Sequence, residues 1–180
     1  SAQATTADDY LVEAKALIGK KGREQEAIRL ASQVLAIRQN AEAYVYRAYA
    51  KYDLGDKQGA IADYNQAIAI NPQDADAYNN RGNARSDLGD KQGAIADYNQ
   101  AIAINPQFAQ AYNNRGNAKS ALGDKQGAIA DYNQALAINP QYAVAYNNRG
   151  NAKSGLGDKQ GAIADYNQAI AINPQYAIAY

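Results

Sequence analysis

The sequence predicts an all-α solenoid built from stacked helix-turn-helix units. The first observation is an internal period of 34 residues, which is marked by tyrosines and prolines at Tyr64, Tyr98, Tyr132 and Tyr166 and at Pro72, Pro106, Pro140 and Pro174. A fixed period of this length is typical of architectures in which each unit buries its apolar face against its neighbours. The second observation is that each period carries two helical stripes, separated by a glycine and closed by a proline.

The unit over residues 75–108 shows how the sequence predicts each element. In its first half, small and apolar residues recur at helical spacing, at Ala77, Tyr78, Gly82, Ala84 and Leu88. Gly89 is placed to end this helix in the left-handed conformation, and Asp90 is placed to cap the next one. The second helix carries its own stripe, at Ala94, Ile95, Tyr98, Ala101, Ile102 and Ile104, and Asn105-Pro106 ends it.

One glycine lies inside the second helix of every regular copy, at Gly59, Gly93, Gly127 and Gly161. A glycine in a helix interior costs about 1 kcal/mol relative to alanine. Its recurrence indicates close packing at this position, and shared ancestry of the copies explains it equally well.

The unit resembles the tetratricopeptide repeat (TPR) family, whose 34-residue motif is carried here by Tyr78, Gly82, Ala94, Tyr98, Ala101 and Pro106 and their equivalents. The resemblance covers nearly the whole chain and implies a right-handed superhelix. Asn-Arg-Gly in the first helix is similar to a bacterial subtype of the repeat. The near-identity of the copies indicates either recent duplication or deliberate design, and the sequence does not separate the two.

An arginine stands where the family often has leucine, at Arg47, Arg81, Arg115 and Arg149. We expect its stem to pack and its head to find a carboxylate, with Asp97 and its equivalents as the partners. On this interpretation, Arg115→Leu should cost little stability.

The repeat boundaries divide the chain into a flexible N-terminus and a series of helix pairs. Residues 1–7 are small and polar, and residues 8–40 form a divergent helix pair that aligns with the later copies. Regular repeats cover residues 41–74, 75–108, 109–142 and 143–176, and residues 177–180 start a truncated further helix. The first helix of repeat 41–74 is rich in tyrosine. Tyr44 occupies the core aromatic position, and three more tyrosines exceed what core packing requires in the later copies: Tyr46, Tyr49 and Tyr52.

Composition argues against several classes of function. The 18 basic and 18 acidic residues cancel, so no basic field attracts nucleic acid. Histidine and cysteine are absent, which leaves a poor ligand set for a transition metal and no recognisable nucleophile beside a base. We therefore expect neither enzyme activity nor a cofactor. No apolar run is long enough to span a membrane, so we expect a soluble protein, in a cytoplasmic or periplasmic compartment that the sequence does not specify.

The first helices also carry rows of asparagine and serine on the face opposite their core stripe. The rows are Asn79, Asn83 and Ser86, then Asn113, Asn117 and Ser120, then Asn147, Asn151 and Ser154. The resemblance places these rows on a concave surface, where amides could hold the backbone of an extended peptide. Family members that clamp a terminal carboxylate use Lys and Arg at positions that here hold residues such as Asn114, Val144 and Asn148. We therefore expect a peptide-binding groove of another kind, or a groove that is merely solvated.

Two hypotheses of function follow from these observations. The first is a non-enzymatic scaffold that binds a peptide segment of an unidentified partner protein in the asparagine-rich groove. The second is a structural array, natural or engineered, that self-associates through its C-terminal end, where the expected contact residues are Ile163, Tyr166, Ile170, Ile178 and Tyr180.

Overall fold

The computed structural model describes residues 2–179, with side-chain surroundings for Ala2 and for residues 6–176. These residues form ten α-helices and a terminal 3-10 helix, η1, so the predicted all-α solenoid class is confirmed. The elements are α1 (Ala2–Leu17), α2 (Glu24–Ile37), α3 (Ala41–Asp53), α4 (Lys57–Ile70), α5 (Ala75–Asp87), α6 (Lys91–Ile104), α7 (Ala109–Ala121), α8 (Lys125–Ile138), α9 (Ala143–Gly155), α10 (Lys159–Ile172) and η1 (Pro174–Ala179).

The chain forms two compact units. The N-terminal unit, Ser1–Asp90, contains α1 to α5, and the C-terminal unit, Lys91–Tyr180, contains α6 to α10 and η1. Within each unit, consecutive helices pack together and the first helices of successive repeats also touch, as α1 touches α3, α3 touches α5 and α7 touches α9. Among the described residues of each unit, the contacts between helices therefore join near neighbours in the chain, which is the arrangement of a stacked repeat.

Alanines packed around one tyrosine form core clusters at Tyr64, Tyr98 and Tyr132, each of which joins a second helix to the first helix that follows it. Ala128, Tyr132 and Ala152 form one such cluster, and Ile129 packs against it. A Cβ atom added to Gly116 would lie 2.7 Å from Cε1 of Tyr132. The glycine therefore lets the tyrosine ring approach the helix backbone closely, as the small residues of the stripe predict.

The helix ends use the signals that the sequence provides. After α7, Gly123 has φ of +91°, and the amide of Asp124 donates to the carbonyl of Lys119 at 2.9 Å. This pattern is a Schellman motif, which satisfies carbonyls that the helix leaves without partners. The Asp124 carboxylate then caps α8 by accepting from the amide of Gly127 at 2.8 Å.

The glycine inside the second helix has a local explanation. A Cβ atom on Gly127 would lie 2.1 Å from Oδ2 of Asp124, and Gly59 and Gly161 stand in the same relation to their own capping aspartates. The close neighbour is therefore the capping carboxylate of the same helix. Of the two explanations that the sequence left open, close packing and shared ancestry, the structure supports close packing, and the packing is against the cap.

The two chain ends differ from the sequence-based expectation. Helix α1 already begins at Ala2, inside the stretch 1–7 that is expected to be flexible, and Ala7 is fully buried. Arg38 at the end of α2 pairs with Asp8 at 2.5 Å, which further attaches α1 to the stack. Near the other end, η1 is a 3-10 helix where the sequence predicts the start of another first helix, and Tyr180 lies outside the described residues.

Candidate functional site

A pocket lies at the surface of the helix stack in each of the two units. The N-terminal pocket has a volume of about 130 Å³ and is lined by Tyr49, Tyr52, Asp53, Tyr64, Asn80 and Asn83. The C-terminal pocket has a volume of about 300 Å³ and is lined by Asn117, Ser120, Ala121, Tyr132, Asn148 and Asn151. Both are built from a first helix, the tyrosine of the second helix and the first helix of the next repeat.

The two pockets occupy the same position in the repeat. Every residue that lines the C-terminal pocket lies 68 positions, or two periods, after a residue that lines the N-terminal pocket. Half of the lining is unchanged, since a tyrosine and two asparagines recur. The other half differs, because Tyr49, Tyr52 and Asp53 in the first pocket correspond to uncharged Asn117, Ser120 and Ala121 in the second, as the two linings show.

Asparagine amides form the polar rim of the C-terminal pocket. The hydroxyl of Tyr132 donates to Oδ1 of Asn117 at 2.7 Å, and burial raises the pKa of this hydroxyl, so it remains a donor at neutral pH. Nδ2 of Asn148 donates to Oδ1 of Asn113 at 3.1 Å. Asn117 therefore still has its amide NH2 group to donate, and Asn148 still has its Oδ1 to accept a hydrogen bond.

Three tyrosines and a carboxylate line most of the N-terminal pocket. Tyr64 is 1% exposed and its hydroxyl is hydrogen-bonded to Asn80. The hydroxyl of Tyr52 donates to Oδ2 of Asp87 at 2.5 Å, and Nζ of Lys57 lies 3.4 Å from the centre of the Tyr52 ring. Asp53 is the one acidic residue in the lining.

Four of the nine predicted groove residues line a pocket, namely Asn83, Asn117, Ser120 and Asn151. Asn79 and Asn113, by contrast, are only 3% exposed. The expectation that they face an open groove is therefore corrected. Asn113 accepts a hydrogen bond from Asn148 on the next first helix, so its side chain joins two repeats and does not face solvent.

The remaining predicted groove residues lie outside the two linings. Ser86 and Asn147 are half-buried. Ser154 is also half-buried, and its Oγ accepts from Nζ of Lys159 at 3.2 Å. The rows are thus divided by the structure between buried, pocket-lining and half-buried positions.

Most of the pocket residues were not predicted from the sequence. The recurring tyrosine of the second helix, Tyr64 or Tyr132, is expected only in the core, yet this ring also lines a pocket. The excess of tyrosine in α3 was the available signal for the N-terminal pocket, since Tyr49 and Tyr52 are two of those rings. No pattern marked Asp53.

The repeated arginine pairs with the predicted carboxylate. Arg115 donates from Nε and Nη2 to the two oxygens of Asp131, at 2.9 and 2.7 Å, and from Nη1 to Oδ1 of Asn99 at 2.9 Å. Lys119 also pairs with Asp131, at 2.9 Å, and the guanidinium carbon of Arg115 lies 5.4 Å from the centre of the Tyr112 ring. Equivalent bidentate pairs join Arg47 to Asp63 and Arg149 to Asp165.

The predicted self-association end includes one exposed apolar side chain. Ile163 is 58% exposed, whereas its equivalent Ile129 packs against the core cluster of its own repeat. Ile170 is half-buried, and the Tyr166 hydroxyl donates to Oδ1 of Asn151 at 2.6 Å. The side chains of Ile178 and Tyr180 lie outside the described residues.

Family models match most of the repeat region. The model described as "TPR repeat" matches residues 48–89 and 82–123, and the model described as "Tetratricopeptide repeat" matches residues 109–142 and 143–176. The chain belongs to the tetratricopeptide repeat family. Repeats of this family generally serve as non-catalytic scaffolds for protein interaction, so the family and the pockets together support a scaffold function.

Solved structures of TPR proteins share the fold. A crystal structure of MamA protein is 27% identical, has a TM-score of 0.81, and matches over 97% of this chain and 96% of its own. MamA 41-end from Desulfovibrio magneticus RS-1 is 18% identical with a TM-score of 0.83, over 94% of this chain and 96% of its own. YrrB, described as a TPR protein with an unusual peptide-binding site, is 18% identical with a TM-score of 0.75, over 94% of this chain and 89% of its own. A search of curated protein sequences found no match.

Two further findings concern other kinds of site. No helix in the described part of the chain is both long enough and apolar enough to cross a membrane. Over the same residues, no group of three or more acidic side chains is placed to hold a metal ion.

Proposed function

We propose that this TPR protein binds short extended segments of a partner protein in its repeat pockets. The observation that carries the proposal is the recurrence of one pocket at equivalent positions 68 residues apart, with a tyrosine and two asparagines constant in both linings. A recessed site with an aromatic ring and a few convergent polar groups is the common form of a binding site.

The chemistry of the C-terminal pocket fits a peptide backbone. Its lining contains asparagine, serine, alanine and tyrosine and carries no charge. The amides of Asn117 and Asn148 offer a donor and an acceptor, which match the carbonyl and amide of an extended chain. A terminal carboxylate would lack a cationic partner in this lining, so an internal segment suits it better. YrrB supports the proposal to the extent that the same fold is described with a peptide-binding site.

Selection from a displayed library of random octapeptides tests the proposal. Selected peptides, synthesised with blocked ends, should lose about tenfold or more in affinity for the Asn117→Ala, Asn148→Ala double variant, since two hydrogen bonds of about 1 kcal/mol each are removed. The matched control is Gln134→Ala, which removes an exposed amide on α8 outside the pocket. Equal affinity for the double variant and the control, with circular dichroism showing intact helices, would reject the pocket as the binding site.

Self-association is a second candidate function, and the exposure of Ile163 favours it. Here the occupant of the α10 surface is a second copy of the chain. Light scattering over a wide concentration range should then show a mass that grows with concentration, and Ile163→Lys should reduce it. Val12→Lys is the control, because Val12 is also exposed, at 69%, and lies on α1. A constant monomer mass at all concentrations would reject this candidate.

A further inference from the structure

We propose that the N-terminal pocket selects a basic side chain, lysine or arginine, from the peptide that it binds. This inference rests on the proposed peptide-binding function and adds the chemistry of the residue that the pocket prefers. It is carried by three tyrosines and one carboxylate that line the same cavity of about 130 Å³.

The first support is the aromatic lining. Tyr49, Tyr52 and Tyr64 come from two neighbouring helices and meet at one pocket. The face of a tyrosine ring attracts an ammonium or guanidinium group. The chain already shows this contact, because Nζ of Lys57 lies 3.4 Å from the centre of the Tyr52 ring. Several rings around one cavity extend the same attraction to a cation from outside.

The second support is the charge of the lining. Asp53 is exposed at the pocket, and Lys57 forms its ion pair with Asp87, at 3.1 Å, and not with Asp53. Burial raises the pKa of the Asp53 carboxyl, and Glu24 raises it further, while Lys57 acts in the opposite direction. An incoming cation would act against the two effects that raise this pKa and would stabilise the carboxylate.

The third support is the comparison between the two pockets of the same chain. The C-terminal pocket has the same position in the repeat and the same constant tyrosine and asparagines. It has neither the additional tyrosines nor the carboxylate, because those positions hold Asn117, Ser120 and Ala121. The preference for a basic residue should therefore belong to the N-terminal pocket alone.

Blocked pentapeptides that differ only at the central residue test the inference on the full chain. The central residue is lysine, arginine, Nε-acetyl-lysine or norleucine, between flanking alanines. Binding is followed by NMR of the tyrosine rings, with Tyr49 and Tyr64 reporting on the N-terminal pocket and Tyr132 on the C-terminal pocket. We expect the lysine and arginine peptides to bind the N-terminal pocket about fivefold more tightly than the other two, and the C-terminal pocket to show no such preference.

The variant Asp53→Asn should reduce affinity for the basic peptides to near that of the acetyl-lysine peptide. The matched control is Asp9→Asn, which removes the same charge from an exposed position on α1. Equal binding of lysine and norleucine peptides, or an equal effect of the two variants, would overturn the basic preference and leave peptide binding in place. Failure of all four peptides and of every library peptide to perturb either set of tyrosines would overturn the proposed function as well.

Discussion

Replacing Arg115 with leucine is expected to lower the free energy of unfolding by about 3 kcal/mol, because it leaves a buried carboxylate short of its principal partner. Asp131 is 3% exposed, and Arg115 supplies two of its hydrogen bonds, at 2.9 and 2.7 Å. Removing one member of a buried pair typically costs about 3–5 kcal/mol. Lys119, at 2.9 Å, remains as a partner, which places the expected loss at the lower end of that range.

Urea unfolding followed by circular dichroism measures this loss. Arg38→Leu is the matched control, because Arg38 pairs with Asp8 at the surface, where both side chains are more than a third exposed, at 38% and 62%. Such exposed pairs contribute only about 0–1 kcal/mol. The double variant Arg115→Leu, Asp131→Leu should lose less than the sum of its single variants, since no unpaired carboxylate stays buried in it.

A loss below about 1 kcal/mol for Arg115→Leu would refute this reasoning. It would instead support the sequence-based expectation, in which the arginine stem packs, its head pairs with a carboxylate, and leucine replaces it at little cost. We predict the opposite of that expectation because the structure shows how deeply the carboxylate is buried. The sequence correctly predicted the partner of the arginine but had no measure of that burial.

Three further predictions concern the framework of the C-terminal unit. Gly116→Ala should lower the free energy of unfolding, measured in urea, by about 1 kcal/mol or more, because its Cβ would lie 2.7 Å from the buried Tyr132 ring. This strain should exceed the gain in helix propensity, so a neutral or stabilising result would contradict the prediction. Asp124→Ala should cost about 1 kcal/mol through the lost cap, and Asp124→Asn should restore most of it, so equal losses in the two variants would count against capping. Burial raises the pKa of Asp165, but hydrogen bonds and charges from basic partners outweigh it and lower the pKa below 3.8. Its contribution to stability is therefore present above pH of about 4 and lost as the pH falls through the folded-state pKa, so thermal melts of Asp165→Asn should show a weaker fall in stability below that pH than the parent chain.

Local signals account for what the sequence predicted well. A helix stripe, a left-handed glycine and a capping aspartate each act within a few residues. The end of α7 and the start of α8 therefore follow from the sequence around Gly123 and Asp124. The pairing of Arg115 with Asp131 was also predictable, because both residues lie within one repeat and recur together in every copy.

Contacts between repeats were the part that the sequence did not reveal. Asn113 belongs by its spacing to a polar row, yet it is buried because Asn148, 35 residues later, donates to it. A helical pattern identifies two faces of one helix, whereas a first helix in this stack also contacts the first helix of the next repeat, as α7 contacts α9. Residues at the border between the faces, such as Asn79 and Asn113, therefore cannot be assigned from periodicity alone.

The two helices of each repeat differ in how much their sequences vary, and this division explains how the pockets can differ within one fold. Helices α4, α6 and α10 are identical in sequence, and α8 differs from them only at Leu136. Within the C-terminal unit, α8 packs against both α7 and α9, so two of its faces take part in packing. The first helices tolerate more change, and the positions that vary between the pockets all lie on first helices, α3 and α7.

This division predicts that the preference of one pocket can be transferred to the other. The variant Asn117→Tyr, Ser120→Tyr, Ala121→Asp gives the C-terminal pocket the side chains of Tyr49, Tyr52 and Asp53. Gly155→Asp should be added, because Gly155 occupies the position equivalent to Asp87, which pairs with Lys57. The nearest atoms to a Cβ at Gly155 belong to the flexible end of Lys125, 2.8 Å away.

The transferred pocket should bind the lysine pentapeptide about fivefold more tightly than the acetyl-lysine pentapeptide, as measured by NMR of Tyr132. The same variant without Ala121→Asp should show a smaller preference, since it lacks the carboxylate that faces the cation. A variant that keeps its helix content but shows no preference would mean that the tyrosines and the carboxylate are insufficient on this framework. Any basic preference of the N-terminal pocket would then come from other residues that differ between α3 and α7, outside the exchanged positions.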